Sequence, residues 1–290
     1  MVKVSVVQAL DVEKAVRESI QLLGGLGIPR GATVVLKPNL CNRRNPHRMV
    51  VTDPLVLEAV IKVLRENENR VLVVESDNIS GTAEKRLEGL GLQGVLERWD
   101  AEFVNLSKEE DYREFELDGV ALRVPELVLG ADYLVNLPKM KTCGYTTVTL
   151  GIKNLFGVLM RKDKNKLHRH LDKVLAFLPS VVPTHLTIVD GIYCMEGNGP
   201  IVGSPVCMNL LVAGRNLVSV DAVAAWLMGF NPGEITHIAG CSSEGLGPAD
   251  LGSIEVVGEE AQGLRRRFEP PFTLRSIAKS VKTIRDIYLA

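Results

Sequence analysis

Short apolar runs that stop abruptly at charged or amide side chains recur along this chain, and helical patterns lie between them. Val34-Val35-Leu36 runs into Lys37-Pro38-Asn39, and Arg70 to Val74 runs into Glu75-Ser76-Asp77-Asn78. Tyr133-Leu134-Val135 runs into Asn136, and His185 to Val189 runs into Asp190-Gly191. Unbroken apolar runs of this length suit strands covered on both faces, and alternation with helices calls for a largely parallel sheet. Parallel strands share one carboxyl edge, where ligands of such sheets bind. The expected fold is α/β: a mostly parallel mixed sheet with helices on both faces.

Residues 2–8 read as a further strand. Val12, Ala15, Val16, Ile20 and Leu23 have helical spacing. Thr52-Asp53-Pro54 opens another helix, with Thr52 or Asp53 as cap and Pro54 at the first helical position. Asp118-Gly119, between two alternating runs, predicts a β-hairpin that decorates the sheet. The helix after residue 171 is expected to stop at Pro179. Leu274, Ile277, Val281, Ile284 and Tyr288 form one apolar stripe, with Lys279, Lys282 and Arg285 off it. Residues 1–272 are expected to form one α/β domain, with two lobes as the alternative, and 273–290 a basic amphipathic C-terminal helix. Its stripe is expected to dock on its own core or on another subunit, which would make a homo-oligomer. A membrane surface or a partner protein is the alternative.

Composition removes several classes. Net charge is −1 and aromatics are 5% of 290 residues. There is no global basic field and little to stack on bases, so nucleic acid is not an expected partner. No apolar run approaches the ~18 residues of a transmembrane helix, and the N-terminus reads as a strand rather than a signal peptide. The five cysteines, Cys41, Cys143, Cys194, Cys207 and Cys241, contain no CxxC pair. That pattern fits free thiols and a cytoplasmic location, and it supplies no iron–sulfur or zinc spacing. No dinucleotide fingerprint or phosphate-binding Walker loop occurs.

The richest stretch is Asn136 to Gly157, with three lysines, four threonines, two asparagines and three glycines. A core strand has little use for that mixture. Lysines bring positive charge, short polar side chains bring hydrogen bonds, and glycines let backbone approach a ligand. The stretch is expected to floor a site for a small anionic ligand, a carboxylate or phosphate.

Candidate residues follow from strand-end placement. Lys37, Lys139, Lys141 and Lys153 are the anion-binding set, and Lys139 or Lys153 can instead act as a base. Asn39, Thr142, Asn154 and Asn198 are candidates to orient the ligand. Asp53, Asp77 and Asp190 are candidate ligands for a divalent metal, which wants oxygen donors. Asp190, Glu196 and His168 are candidate proton carriers. Asp221 is a further candidate acid, Cys143 beside two lysines a candidate reactive thiol, and the basic run Arg161 to Lys173 a candidate lid over the ligand. The plainer alternatives are Asp53 as a helix cap, Asp221 as a bonded interior carboxylate, Cys143 as a small buried hydrophobe, and Arg161 to Lys173 as a solvated basic face.

Several blocks resemble those of the prokaryotic family called domain of unknown function 362. They are Lys37-Pro38-Asn39-Leu40, Thr52-Asp53-Pro54, the run from Asn136 to Thr142, the run from Thr149 to Gly157, Leu167-His168, and Asp190-Gly191-Ile192 with Met195 to Pro200. The resemblance covers roughly residues 2–258. Some members carry a ferredoxin-like iron–sulfur module after this domain, which implies redox work. This chain has no cysteine after Cys241, so a cluster would come from a partner. Cys143 stands where the family resemblance implies histidine. The function expected is that of a cytoplasmic enzyme on a small anionic substrate, metal-dependent or redox-linked. The alternative is a non-catalytic ligand-binding or accessory protein docking to a redox or membrane partner.

Overall fold

The structure, a computed structural model, describes residues 1–288, and within them the side chains of all but Asn165, Lys282 and residues 285–288. The expected roles of Lys282, Arg285 and Tyr288 therefore lie outside the described side chains. The strands are β1 (Val2–Gln8), β2 (Thr33–Pro38), β3 (Arg70–Glu75), β4 (Glu102–Asn105), β5 (Tyr112–Leu117), β6 (Val120–Pro125), β7 (Tyr133–Leu137), β8 (Lys139–Cys143), β9 (Thr147–Val148), β10 (Leu186–Glu196), β11 (Ser204–Gly214) and β12 (Ile254–Gly258).

The main sheet runs β12-β1-β11-β10-β7-β2-β3-β4. β10, β7, β2, β3 and β4 are parallel to one another. β11 is antiparallel to both β10 and β1, and β12 is parallel to β1. One reversed strand thus sits inside an otherwise parallel path, which makes the sheet mixed. β5 and β6 form the separate hairpin, with Asp118 at φ 51° and Gly119 at φ 73° in its turn. Those left-handed angles are the ones a two-residue hairpin turn of this type requires.

Side chains alternate along each strand, so one strand feeds two cores. Val34, Leu36, Val71 and Val73 pack under the helices Val12–Leu22 and Pro54–Glu66. Val35, Leu72, Val74 and Val212 face the opposite way, toward the helices Leu171–Val181 and Leu217–Leu227. Asp53 caps the helix Pro54–Glu66, its side chain accepting from Leu55 N.

The helix expected to end at Pro179 continues to Val181. Proline leaves the carbonyl four residues back without a donor. The Cys241 thiol occupies that carbonyl, with Sγ 3.6 Å from Leu175 O, so a helix break is not forced. The larger correction lies in the central stretch. Residues 139–143 are a buried strand, β8, paired parallel with β10 and turned back into β9. Lysines sit in it because partners distant in sequence meet their charges, as described next.

Candidate functional site

The chain moves from β2 outward through β3 to β4, then returns to the other side of β2 for β7 and continues outward to β10. The strand order therefore reverses between β2 and β7, and a crevice is expected beyond the carboxyl ends at that point. A cavity of about 210 Å³ lies there. Lys37 and Asn39 at the end of β2, Glu75 at the end of β3, and Lys141, Lys153 and Asn154 from the central stretch line it. Lys162, Lys164 and His168 close another side, and Arg86 reaches it from the helix Ala83–Gly89.

Among the described residues the cavity wall carries six basic side chains, Lys37, Arg86, Lys141, Lys153, Lys162 and Lys164, against the single carboxylate Glu75. Glu75 is buried and accepts from Lys37 Nζ at 2.9 Å, Leu40 N at 3.2 Å and Ser76 N at 3.0 Å. Burial pushes its pKa up, but Lys37, Arg86 and Lys164 outweigh burial and hold it below the usual carboxylate value. Lys141 Nζ is spent on Asn39 Oδ1 at 3.0 Å, Val50 O at 2.6 Å and Cys41 Sγ at 3.2 Å. Lys164 Nζ donates to Ser76 Oγ and Asp77 O, both at 2.6 Å. Burial pulls its pKa down to about 7.

Lys153 differs. It has no hydrogen-bond or ion-pair partner among the described residues, and its ammonium lies 4.3 Å from the centre of the Phe156 ring. Burial and then the Lys141 ammonium pull its pKa below that of an ordinary lysine. The helix that carries it, Leu150–Asn154, starts at a left-handed non-glycine residue, Leu150 at φ 49°. Asp221 holds that start by accepting from Gly151 N at 2.7 Å and Ile152 N at 2.8 Å. Its interior, bonded role is the plainer of the two sequence readings. His168 is half-buried with its ring 4.2 Å from that of Tyr145. Burial first, then Lys153, lowers its pKa below that of an ordinary imidazole.

Three amides brace the floor. Asn39 Nδ2 donates to Asn154 Oδ1, Asn154 Nδ2 to Asn136 Oδ1, and Asn136 Nδ2 to Gly151 O, over 2.8–3.0 Å. Gly157 passes so close to the cavity wall that a Cβ there would lie 2.8 Å from Lys37 Nζ and 2.9 Å from Glu75 Oε1.

Of the expected residues, Lys37, Asn39, Lys141, Lys153, Asn154 and His168 meet in this cavity. The rest stand elsewhere. Lys139 and Asp190 form a fully buried ion pair at 2.7 Å. Asp190 also accepts from Asp53 N and Ile192 N. Asp53 is buried under a two-pronged contact from Arg48, both bonds 2.7 Å. Asp77 accepts from Ala83 N and Asn105 Nδ2. These three acids are thus occupied by N–H donors, and no group of three His, Cys, Asp or Glu suited to a metal ion occurs among the described residues. Thr142 donates to Gly197 O at 2.8 Å. Glu196 and Asn198 bond the tail, Glu196 to Lys279 Nζ and Glu269 N, Asn198 to Phe272 N, Ser276 Oγ and Ser280 Oγ. The glycine-rich loop is therefore a socket for the C-terminal helix, with Pro200 and Ile201 touching the cavity. Cys143 is buried.

Sequence reasoning assigned no role to Arg86, and it reached Lys162 and Lys164 only as part of the basic run Arg161 to Lys173, read as a lid over the ligand or a solvated face. Lys162 and Lys164 sit in the basic run from Arg161, of which Lys166 and Arg169 are exposed while Lys164 turns inward. Arg86 carries no local signal, since its burial is set by Leu40 O and Ser76 O, which it bonds across the fold.

Fold and cavity together define an α/β protein with a strongly basic crevice at the switch point of a mixed sheet. The chain belongs to the family described as domain of unknown function (DUF362), which matches residues 34–226 and so takes in every residue lining the cavity. It is also similar to the thylakoid-associated protein sll1697 of Synechocystis sp., 31% identical over 246 residues, which is 81% of this chain and 75% of that protein. No helix among the described residues is long and apolar enough to cross a membrane.

Proposed function

We propose that the cavity binds a small anion, a carboxylate or phosphate, and that the protein is an enzyme acting on it. The observation that carries this reading is the charge inventory of the wall, six basic side chains to one carboxylate, with the Lys153 ammonium facing no counter-charge. Clustered ammonium groups repel one another, and an anion between them relieves that repulsion. Lys164, whose pKa burial pulls down to about 7, is the first proton-transfer candidate, since such a lysine exists partly as a free amine near neutrality, and burial moves Lys153 in the same direction. His168, whose pKa burial and the nearby Lys153 lower, is a third. The deep pair Lys139–Asp190 acts in this reading by holding β8 against β10 rather than by touching substrate.

Calorimetric titration with inorganic phosphate and with small mono- and dicarboxylates tests the reading. Binding by the wild-type protein, weakened roughly tenfold or more in Lys153→Ala with an unchanged melting curve, is the expected result. Equal affinity in both proteins sinks it.

A second reading has one observation behind it. The relative is thylakoid-associated, which favours an accessory protein docked to a membrane or redox partner. In that case the cavity still takes its anion but turnover is absent.

A further inference from the structure

The C-terminal helix Leu274–Tyr288 docks the wrong way round for a helix whose stripe belongs to a core. Among its described side chains Ser276, Ser280 and Thr283 are the buried ones, and Thr283 Oγ1 donates to Gly203 O at 2.7 Å while Asn198 bonds both serines. The described members of the apolar stripe are left outside: Leu274 is 90% exposed and Val281 68%, with Ile277 and Ile284 also exposed. Phe272, just before the helix, extends the same apolar surface. The expectation that the stripe docks on its own core is thereby corrected. The small polar side of the helix fits the glycine-rich socket, where Asn198 and Gly203 O supply its hydrogen-bond partners.

Charge is segregated to the same stretch of the sequence. The whole chain carries −1, yet residues 265–286 hold seven basic residues against two acidic ones. Arg265, Arg266 and Arg267 are exposed immediately upstream, and Arg275 is exposed on the helix itself. We propose that this exposed stripe, with its basic surroundings, is a contact for an anionic membrane surface. The proposal rests on the second reading above and names its partner as lipid. An amphipathic helix lying in the interface buries its apolar side at the acyl boundary while Lys and Arg meet anionic headgroups. A second copy of the chain fits less well. A two-fold contact through the stripe would bring one basic flank against its twin, and like charges set against each other cost affinity. A protein partner would need an apolar groove with an acidic rim, whereas a lipid surface supplies both properties without a matched shape.

The test is co-sedimentation of the full chain with vesicles of phosphatidylcholine alone and of phosphatidylcholine mixed with phosphatidylglycerol. Binding to the mixed vesicles, reduced by salt and lowered roughly tenfold or more in Ile277→Glu/Val281→Glu, is the expected result. Both substituted positions are exposed, so the variant should melt and bind phosphate as the wild type does. Wild-type and variant binding the mixed vesicles equally overturns the assignment to the stripe but leaves membrane docking standing. No binding of the wild type to either vesicle overturns lipid as the partner. A wild-type dimer that the double substitution renders monomeric assigns the stripe to a second copy, and overturns the proposal by that route.

Discussion

Asp221 accepts two backbone N–H bonds, yet burial pushes its pKa up from 3.8 to about 7. The folded protein therefore keeps this proton up to about pH 7, while an unfolded aspartate loses it near 3.8. Across that window the folded state binds more protons, so the residue's contribution to stability falls as pH rises. Asp221→Asn removes the titration. Unfolding free energy of the variant relative to wild type should improve from about pH 4 to about pH 7, read from urea melts at each pH. A difference flat in pH would mean the carboxyl is ionised throughout. Lys164 gives a second titration, at the cavity. An anion beside it favours its charged form, so binding at about pH 8 should take up a proton. The calorimetric enthalpy should then vary with the ionisation enthalpy of the buffer, and Lys164→Met should abolish the variation. Lys139→Ala leaves Asp190 buried without its cation, and a loss of about 3–5 kcal/mol in denaturant unfolding is expected.

Elements explain why some of this was readable in the sequence. β2, β3, β7 and β10 announce themselves as apolar runs ending in polar groups, and the polar ends of two of them, β2 and β3, line the cavity at the carboxyl edge, as parallel-sheet geometry requires. The Asp53 cap and the Asp118-Gly119 turn depend on neighbours only a few residues away, so local chemistry suffices. β8 does not. Its lysines are neutralised by Asp190 and bonded by Asn39 and Val50, roughly 50 to 100 positions distant, and no local pattern encodes those meetings. The same holds for the Met195–Pro200 loop, whose acid and amide look like site residues until the tail helix is seen to use them. Gly157, in the turn after the Lys153 helix, was legible only as a glycine. Gly157→Ala should press on the Lys37–Glu75 pair, costing about 1–3 kcal/mol of stability and weakening phosphate binding in the same protein.

At the scale of the molecule, the tail is joined to the body mainly through small polar residues. Deleting residues 273–290 should therefore cost only roughly 1–3 kcal/mol, a few net hydrogen bonds' worth, and leave a cooperatively melting body. Loss of the cooperative transition would make the tail part of the core. The sheet itself has an unequal construction. β2, β3, β4 and β7 pair among neighbours made within about a hundred residues of one another, but β1 lies between β11 and β12, with Val4 opposite Gly214 and Val2 opposite Ile254. During synthesis the first strand must wait for partners some two hundred residues later, about 10–40 s at ordinary elongation rates of about 5–20 residues per second. Throughout that interval it is a lone apolar segment with unpaired backbone. A strand made some two hundred residues ahead of its partners is thus among the last to find its place, and a chaperone would have that whole interval in which to hold it.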